Sequence, residues 1–345
     1  MGKKIGILTF HWATNYGAVL QSYALQHYLI DIGYDTEIID YVPWSITLSQ
    51  KINWHKNHRT NMIVREEKLE LFRRKHLIRT KRINFCLFLR YFSESYFAVI
   101  CGSDQIWNQS FTLFGEYRPT LAYFASFVSN KTKRIAYAAS FGTVAVSERY
   151  EKYVKPELKN FSAISVREQT GKQIVEKMGM KAEVVCDPTL LLAKEDYWRI
   201  MKDVEIKVPR VFCYILHGHE DSGKIAAYIR DKFAEAVSEY ETFELEEWLY
   251  AIQHSEFVVT NSFHGVMMSM ILNKPFIAVL IKGSGMNDRL ITILKAIGLE
   301  NRIIDSYDEE MIDTILYSPI EWDQVNLKLE VLKDRGKLFL KTVLT

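Results

Sequence analysis

One histidine, His264, stands where a short apolar strand is predicted to turn into a helix. The apolar residues 257–259 predict a buried strand, and the apolar run 266–272 predicts a helix that stops at the proline beyond it. Asn261 and Ser262 then fall in the turn. Such a turn lies at the carboxyl end of a strand, where open α/β sheets bind ligands, and a helix N-terminus offers N–H groups to an anion. His264 is therefore a candidate for chemistry on an anionic ligand, and a histidine that only packs in the core is the alternative.

The N-terminal residues predict the first strand–helix–strand unit of a Rossmann-like sheet. Residues 5–10 form a strand pattern, 19–32 a helix pattern and 36–41 a second strand pattern, and Gly33 supplies the expected helix stop. The turn after the first strand lacks the GxGxxG fingerprint. A dinucleotide at this turn is therefore not expected.

Polar residues follow several further predicted strands. These strands cover residues 96–101, 135–139, 163–166 and 184–186. Asp104 follows the first of them, and Arg167 follows the third. Because carboxyl ends of parallel strands meet at one edge of a sheet, we expect these polar turns to form one crevice.

A second α/β unit is predicted in the C-terminal half, as a length of 345 residues favours two domains. Its first strand covers 211–216, and helices over 222–238 and 245–252 lead to the His264 segment. This leaves little room for another strand between Leu216 and the second helix. The expected domains are 1–200 and 201–324, both Rossmann-like.

Bulk composition excludes several functional classes. The 44 basic and 42 acidic residues give a net charge of +2, which offers no argument for nucleic-acid binding. Four cysteines without a CxxC pair, no signal-peptide core and no long apolar window predict a reduced, cytoplasmic protein. His217 and His219 are only a weak metal signal, because no third ligand stands near them apart from Glu220, so no metal and no cofactor are expected.

Residues 51–82 differ in character, with eleven Lys or Arg against three Glu. One interpretation is a solvated helix whose arginine stems cover apolar residues. The other is a surface that docks on anionic lipid headgroups or on a diphosphate, which would place the protein at the inner face of the cell membrane.

Six segments together resemble the bacterial polysaccharide pyruvyl transferase family. They are ILTFHWATNYGAVLQSYALQ at 7–26, VICGSDQIWNQ at 99–109, YAASFG at 137–142, ISVRE at 164–168, CDPTLLL at 186–192 and VVTNSFHG at 258–265. The resemblance implies a GT-B-like architecture of two Rossmann-like domains facing across a cleft, with a C-terminal helix over 325–345 that packs back on the first domain. The N-terminal domain would be the acceptor side and the C-terminal domain the donor side.

The resemblance also implies a reaction. Members of the family transfer pyruvate from phosphoenolpyruvate, their co-substrate, onto two hydroxyls of a hexose such as galactose, giving a cyclic ketal and phosphate. The acceptor is commonly a lipid-linked oligosaccharide or a polysaccharide precursor. This chemistry requires a proton on the methylene carbon of phosphoenolpyruvate, and we assign that role, or phosphate binding, to His264.

An anionic donor requires cations and N–H groups around it. The donor-binding candidates are Asn261, Ser262, Gly265, Arg167, Lys282 and Arg289. Some relatives carry an arginine where this chain has Ser262, so the cation for the phosphate is expected elsewhere. For Arg167, the alternative is a structural ion pair with Glu168 or Asp187.

The acceptor candidates lie in the N-terminal half, where amide and aromatic side chains suit a pyranose. They are Asn15, Tyr16, Gln21, Gln105, Trp107 and Asn108. Asp104 is the candidate base for a sugar hydroxyl, although an aspartate that only caps the next helix is the alternative.

Two other functions share this architecture. A nucleotide-sugar glycosyltransferase uses the same fold, but it usually has a carboxylate for the ribose, and the sequence has none near the 260 turn before Asp288. A carbohydrate-binding relative without catalysis is the third possibility.

Overall fold

The chain forms two compact units. The computed structural model of the protein describes residues 3–44, 46, 60–85, 88–89, 95–112, 121–216, 218–233, 236–237 and 242–345. One unit comprises Met1–Leu191 with Leu332–Thr345, and the other comprises Leu192–Val331. His217, Cys86 and the basic stretch 51–59 lie outside the described residues.

A six-stranded parallel sheet forms the centre of the N-terminal unit. Its strands are β1 (Lys4–Leu8), β2 (Asp35–Ile38), β3 (Ala98–Cys101), β4 (Lys133–Ala139), β5 (Ala163–Val166) and β6 (Glu183–Val184), in the order β2-β1-β3-β4-β5-β6. The chain leaves β1 toward β2 on one side and later adds β3 on the other. The carboxyl ends of β1 and β3 therefore flank a topological switch point, where α/β sheets bind ligands.

Helices and short 3-10 turns connect these strands. They are Tyr16–Asp31, Thr60–His76, Gln109–Thr112, Leu121–Phe124, Glu148–Leu158, Gln169–Lys177 and Pro188–Leu190. The first helix begins three residues earlier than its apolar pattern predicts, because the Asn15 side chain accepts a hydrogen bond from the N–H of Ala18 and caps it.

A five-stranded parallel sheet forms the centre of the C-terminal unit. Its strands are β7 (Val211–Tyr214), β8 (Ala236–Val237), β9 (Phe257–Thr260), β10 (Phe276–Val279) and β11 (Ile303–Ile304), in the order β11-β10-β9-β7-β8. Its switch point lies between β7 and β9, because the chain adds β8 on one side of β7 and β9 on the other. The α/β class with parallel sheets is confirmed in both units.

The helices of this unit include three that the sequence predicts, near residues 222–238, 245–252 and 266–272, and others that it does not predict. Together they are Lys194–Met201, Glu220–Lys232, Leu245–His254, Phe263–Ile271, Asn287–Ile297, Glu309–Tyr317 and the 3-10 turn Glu300–Arg302. The expectation of little room for a strand before Leu245 is wrong. The helix predicted over 222–238 ends at Lys232, and the two-residue strand β8 pairs with β7 at the sheet edge.

The last helix, Trp322–Leu344, begins in one unit and ends in the other. Its final turns pack on the N-terminal unit, where the Phe339 ring lies 6.2 Å from the Tyr137 ring and Lys133 Nζ donates to the carbonyl of Val343 at 3.2 Å. None of the helices in the described residues is both long and apolar enough to cross a membrane.

Candidate active site

The turn between β9 and the helix Phe263–Ile271 holds four of the predicted site residues. Asn261, Ser262, His264 and Gly265 are all buried, with His264 in the first turn of the helix. The Ser262 hydroxyl accepts a hydrogen bond from the N–H of Gly265 at 3.2 Å and caps the helix. Ser262 therefore takes the N–H of Gly265 and fixes the start of the helix, whose dipole places positive partial charge at this end.

This turn lies at the switch point of its sheet. The Asn261 side chain accepts a hydrogen bond from the N–H of Leu216, just beyond β7, at 2.8 Å. The Thr260 hydroxyl donates to the carbonyl of Tyr214 at 2.6 Å. These two bonds tie the carboxyl ends of β7 and β9 together and fix the position of the His264 turn relative to its sheet.

Gly265 is required by the tight approach of β9 to the helix. A Cβ at position 265 would lie 2.6 Å from Thr260 Oγ1. That separation is shorter than van der Waals contact, so a larger residue would push the helix start away from the strand.

Arg289 brings a guanidinium to the same helix end. Its Cζ lies 5.4 Å from the centre of the Phe263 ring, and its Nε donates to the carbonyl of Met286 at 3.3 Å. The side chain is buried, so little of its charge is screened by water. A cation, the positive end of a helix dipole and an imidazole thus occur together, which suits a phosphorylated ligand.

Lys282 occupies a different position. It is exposed, in the turn that follows β10. The Asn287 side chain orders this turn by bonding the N–H and the carbonyl of Ile281 at 3.0 and 2.7 Å. Lys282 remains a predicted donor contact, and no hydrogen bond or ion pair among the described residues joins it to the His264 turn.

In the N-terminal unit, Arg167 is bound by carboxylates. Its Nη1 lies 2.7 Å from Asp187 Oδ2, and its Nη2 lies 3.3 Å from Asp104 Oδ1. Burial alone would lower the pKa of Arg167, but the charges of Asp187, Asp104 and Glu168 raise it above the usual range. The ion pair with Asp187 that the sequence offers as an alternative is thus present.

Asp187 and Asp104 differ in how they are used. Asp187 is 2% exposed, and its Oδ1 accepts hydrogen bonds from the N–H and the hydroxyl of Thr189 at 3.0 and 2.8 Å. Asp104 is only half-buried and adopts a left-handed φ of 79°. Its Oδ1 also accepts from the N–H of Gln105 at 2.8 Å. Asp104 is therefore the more accessible carboxylate of the pair.

Three acceptor candidates are buried in the core. Trp107 is fully buried, with its ring parallel to that of Phe124 at 5.2 Å and its N–H donated to the carbonyl of Tyr123. Tyr16 is likewise fully buried. Gln21 bonds Thr9 Oγ1 at 2.8 Å and the N–H of Ser103 at 3.2 Å, which fills the space between β1 and β3. In this structure Trp107 offers no ring face to a sugar, because the core covers it.

The other acceptor candidates lie at the same edge of the sheet. Asn108 Nδ2 donates to Gln105 Oε1 at 2.9 Å. Both side chains contact Gly142, whose φ is 60°. A Cβ at position 142 would lie 2.1 Å from Gln105 Oε1, so the contact requires glycine. Asn15 is half-buried and caps its helix. Gln105 and Asn15 keep part of their surface exposed.

A buried polar network that the sequence reading missed lies after β1 and β2. His11 Nε2 is 3.0 Å from Asp40 Oδ1, and Arg73 donates to the carbonyls of His11 and Ala13 at 2.8 and 3.0 Å. Burial lowers the pKa of His11, and its hydrogen bond with Asp40 opposes this only in part. The same strand-end rule that selected Asp104 also selects His11, which follows the strand predicted over 5–10. It does not select Asp40, because the second strand is predicted over 36–41, whereas β2 ends at Ile38.

The possible metal ligands and a cavity among the described residues add no residue to the candidate site. No group of three His, Cys, Asp or Glu among the described residues is arranged to hold a metal ion. His219 instead caps the helix Glu220–Lys232, accepting from the N–H of Ser222 at 3.4 Å. A cavity of about 600 Å³ opens at the amino ends of β5 and β6, between Ser162 and Phe339, on the edge opposite to the polar turns.

Comparison with known proteins gives a family and a fold. A sequence model of the polysaccharide pyruvyl transferase family matches residues 15–283. No curated protein sequence matches the chain.

Solved structures that resemble the chain include the S. aureus MnaA–UDP co-structure, at a TM-score of 0.53 and 11% identity over 99% of this chain and 97% of that chain. The UDP-GlcNAc 2-epimerase from Neisseria meningitidis bound to UDP-GlcNAc has a TM-score of 0.51 and 10% identity over 99% of both chains. The epimerase from Methanocaldococcus jannaschii has a TM-score of 0.51 and 12% identity over 98% of this chain and 99% of that chain. At such identities the likeness shows a shared fold and nothing finer.

Proposed function

Since the chain belongs to the polysaccharide pyruvyl transferase family, we propose that it transfers pyruvate from phosphoenolpyruvate to two hydroxyls of one hexose. The product is a cyclic ketal, and phosphate is released. Galactose is the proposed hexose, within a lipid-linked oligosaccharide or a polysaccharide precursor that the enzyme meets at the inner face of the cell membrane.

The reaction balances without a further reactant. A proton added to the methylene carbon of phosphoenolpyruvate leaves an oxocarbenium-like centre at C2, which the first sugar hydroxyl attacks as it loses its proton. The second hydroxyl then displaces phosphate from the same carbon, and its proton leaves with the phosphate. The protein must therefore deliver one proton to carbon and stabilise a departing anion.

The observation that carries this proposal is the joint position of His264 and Arg289 at one helix N-terminus. A buried imidazole can donate a proton, and the Arg289 guanidinium 5.4 Å from the Phe263 ring can hold a phosphate or carboxylate. The positive end of the helix dipole adds a third element of anion binding, while the N–H of Gly265 itself is donated to Ser262. His264 is proposed as the general acid. Arg289 is proposed to supply the positive charge that an arginine supplies in some relatives at the position of Ser262.

Asp104 is the proposed base for the sugar hydroxyl. It stands at the carboxyl end of β3, half-buried, and Arg167 orients it. Gln105 and Asn15, which are partly exposed at the same edge of the sheet, are proposed to bond sugar hydroxyls.

Phosphate release tests the proposal directly. The purified protein is incubated with phosphoenolpyruvate and a galactoside, phosphate is measured, and the product is examined for the mass of a pyruvate ketal. Phosphate formed in proportion to ketal, with no need for UDP-galactose, supports the proposal. Sugar transfer from UDP-galactose without phosphoenolpyruvate would instead establish a glycosyltransferase, and galactoside binding without turnover would establish a binding protein.

A further inference from the structure

Three exposed aromatic rings contact one another at the edge of the N-terminal sheet. Trp44, Phe85 and Phe88 are 54%, 52% and 50% exposed. The Trp44 and Phe85 rings are stacked with centres 6.5 Å apart, and the Phe85 and Phe88 rings meet edge-on at 6.2 Å. Single exposed apolar residues are common on proteins, but a contiguous aromatic cluster marks an interaction surface.

Two extended segments beyond β2 hold these rings at the surface of the N-terminal unit. Beyond β2 the chain continues beside a second extended segment, with the N–H of Val42 donated to the carbonyl of Ile83 at 2.9 Å and the N–H of Trp44 donated to that of Asn84 at 3.3 Å. Val42 and Ile83 are buried, whereas Trp44 and Phe85 are exposed. The ring cluster, meaning Trp44, Phe85 and Phe88, is therefore presented by a hydrogen-bonded pair of segments.

Positive charge accompanies the ring cluster. From Leu71 to Ser93 the sequence contains seven Lys or Arg and no Asp or Glu, although Arg73 and Arg79 pair with Glu66 and Glu70 within the N-terminal unit. Lys81, which leads into Phe85, is exposed, and Arg82 is exposed although its Nε lies 3.3 Å from Asp40 Oδ1. Basic residues beside exposed Trp and Phe are the combination that binds the interface of an anionic bilayer.

The helix Thr60–His76 is a poorer candidate for the same role, although the sequence places much of the charge there. Arg73 is 1% exposed and bonds Glu66 at 2.8 Å, and Arg65 is buried against the Tyr16 ring at 5.4 Å. These cations are used inside the N-terminal unit. Arg74 and Lys75 in the last turn of the helix are exposed, but the only large aromatic side chain of this helix, Phe72, is buried.

We propose that the ring cluster inserts into the interfacial region of an anionic lipid bilayer, with Lys81 at the lipid phosphates. Insertion moves the rings from water to the boundary of the acyl chains, and the negative potential of the lipid surface attracts the positive charge beside them. This inference rests on the proposed function in one respect: a lipid-linked acceptor would explain why the enzyme binds a membrane. Vesicle binding itself requires no turnover.

Vesicle flotation of the full-length protein tests the proposal. Wild type is expected to float with vesicles of phosphatidylcholine and phosphatidylglycerol, and to stay in solution with phosphatidylcholine alone. The variant Trp44→Ser/Phe85→Ser/Phe88→Ser is expected to lose flotation. The matched control Trp198→Ser, an exposed tryptophan of the C-terminal unit, is expected to float as wild type does.

A charge variant separates the two parts of the surface. Lys81→Gln is expected to weaken binding to anionic vesicles about five-fold, which corresponds to one surface cation. Lys181→Gln, an exposed lysine at the amino end of β6, is the control and is expected to change nothing. If the triple variant melts well below wild type, Trp44→Ser alone and Lys81→Gln decide the question.

The proposal is overturned if wild type fails to float with anionic vesicles, or if the folded triple variant floats as wild type does. A change from dimer to monomer in the triple variant, without vesicle binding by wild type, would assign the rings to a contact between copies of this chain. Phosphate release with a soluble galactoside is expected to be equal in wild type and the triple variant. Wild type that floats but releases no phosphate would remove the proposed function and leave the membrane surface intact.

Discussion

Arg167 Nη2 lies 3.3 Å from Asp104 Oδ1, and this contact joins the third and the fifth strand ends of the N-terminal sheet. The other terminal nitrogen of Arg167 binds Asp187, which is itself fixed by Thr189. The guanidinium thus spans a structural carboxylate and a half-buried one. This arrangement favours a role for Arg167 in orienting Asp104, whereas its predicted role in donor binding stays a prediction.

Arg167→Lys distinguishes the two roles. A lysine ammonium cannot reproduce the planar fork that spans Asp104 and Asp187. We expect kcat to fall about ten-fold or more, with the KM for phosphoenolpyruvate nearly unchanged, as for a group that positions a catalytic residue. The control Arg199→Lys, at an exposed ion pair with Asp196, is expected to behave as wild type. A rise chiefly in the KM for phosphoenolpyruvate would return Arg167 to the donor side.

Asp104→Asn is expected to reduce kcat by about 100-fold to 10,000-fold, because an amide cannot accept the hydroxyl proton. Its matched partner is Asp187→Asn, which removes an acceptor for Arg167, Ser103 and Thr189 in the core. We expect that variant to lower the melting temperature. Steady-state kinetics and thermal melts of both variants are the measurement, and an Asp104→Asn enzyme with wild-type kcat would remove the base assignment.

His264→Gln is expected to lose phosphate release by about 100-fold to 10,000-fold while the protein melts near the wild-type temperature. Glutamine is similar in size and polar, but it cannot deliver a proton to carbon. His254→Gln, at an exposed helix end, serves as the control. Activity within a few-fold of wild type would contradict the role of His264 as general acid.

The His264 turn was predictable because each part of it is local. Residues 257–259 and 266–272 carry clear apolar patterns, and the structure places a strand and a helix there with the turn between them. The strand β8 was not predictable, since two residues at a sheet edge leave no periodic pattern. For the same reason, the sequence predicts that the preceding helix extends to residue 238, whereas it ends at Lys232.

Side-chain contacts between positions distant in the chain could not be predicted from the sequence. Trp107 stands among polar residues in the chain, so it looked available to a sugar, but its ring stacks on Phe124 seventeen positions away. Arg167 meets Asp104 across 63 positions. A single sequence gives the strand end on which a residue lies, and not which neighbour its side chain contacts.

Gly265→Ala tests the close approach of β9 to the helix Phe263–Ile271. A Cβ 2.6 Å from Thr260 Oγ1 must displace the helix start, at a cost of about 1–3 kcal/mol in stability. Because His264 adjoins this position, we expect kcat to fall as well. Gly223→Ala is the control, since a Cβ there meets nothing within 4 Å and alanine is the better helix former by about 0.5–1 kcal/mol. Thermal melts in which Gly265→Ala is as stable as Gly223→Ala would contradict the argument.

The buried pair of His11 and Asp40 predicts loss of stability in acid. Burial lowers the pKa of His11 below its unfolded value of 6.5, so the unfolded chain takes up the proton first as pH falls. Burial alone would raise the pKa of Asp40, but the hydrogen bond from His11 and the charges of Arg82 and Arg79 hold it below 3.8. Both groups therefore stabilise the fold at neutral pH. The contribution of His11 is lost as pH falls below 6.5, and that of Asp40 is lost only below 3.8.

Melting temperatures at pH 7.5, 6.5 and 5.5 isolate the histidine, because this window lies above the titration of Asp40. Wild type is expected to lose stability steadily across it. His11→Gln has no proton to take up at this position, so its melting temperature is expected to change less between the same pH values, even if it is lower throughout. His254→Gln should keep the wild-type slope, since that side chain is exposed. Equal slopes for wild type and His11→Gln would contradict the argument, because they would mean that folding does not change proton uptake at His11. Wild type that gains stability relative to His11→Gln as pH falls would mean that the imidazole is protonated in the fold, as an ion pair with Asp40.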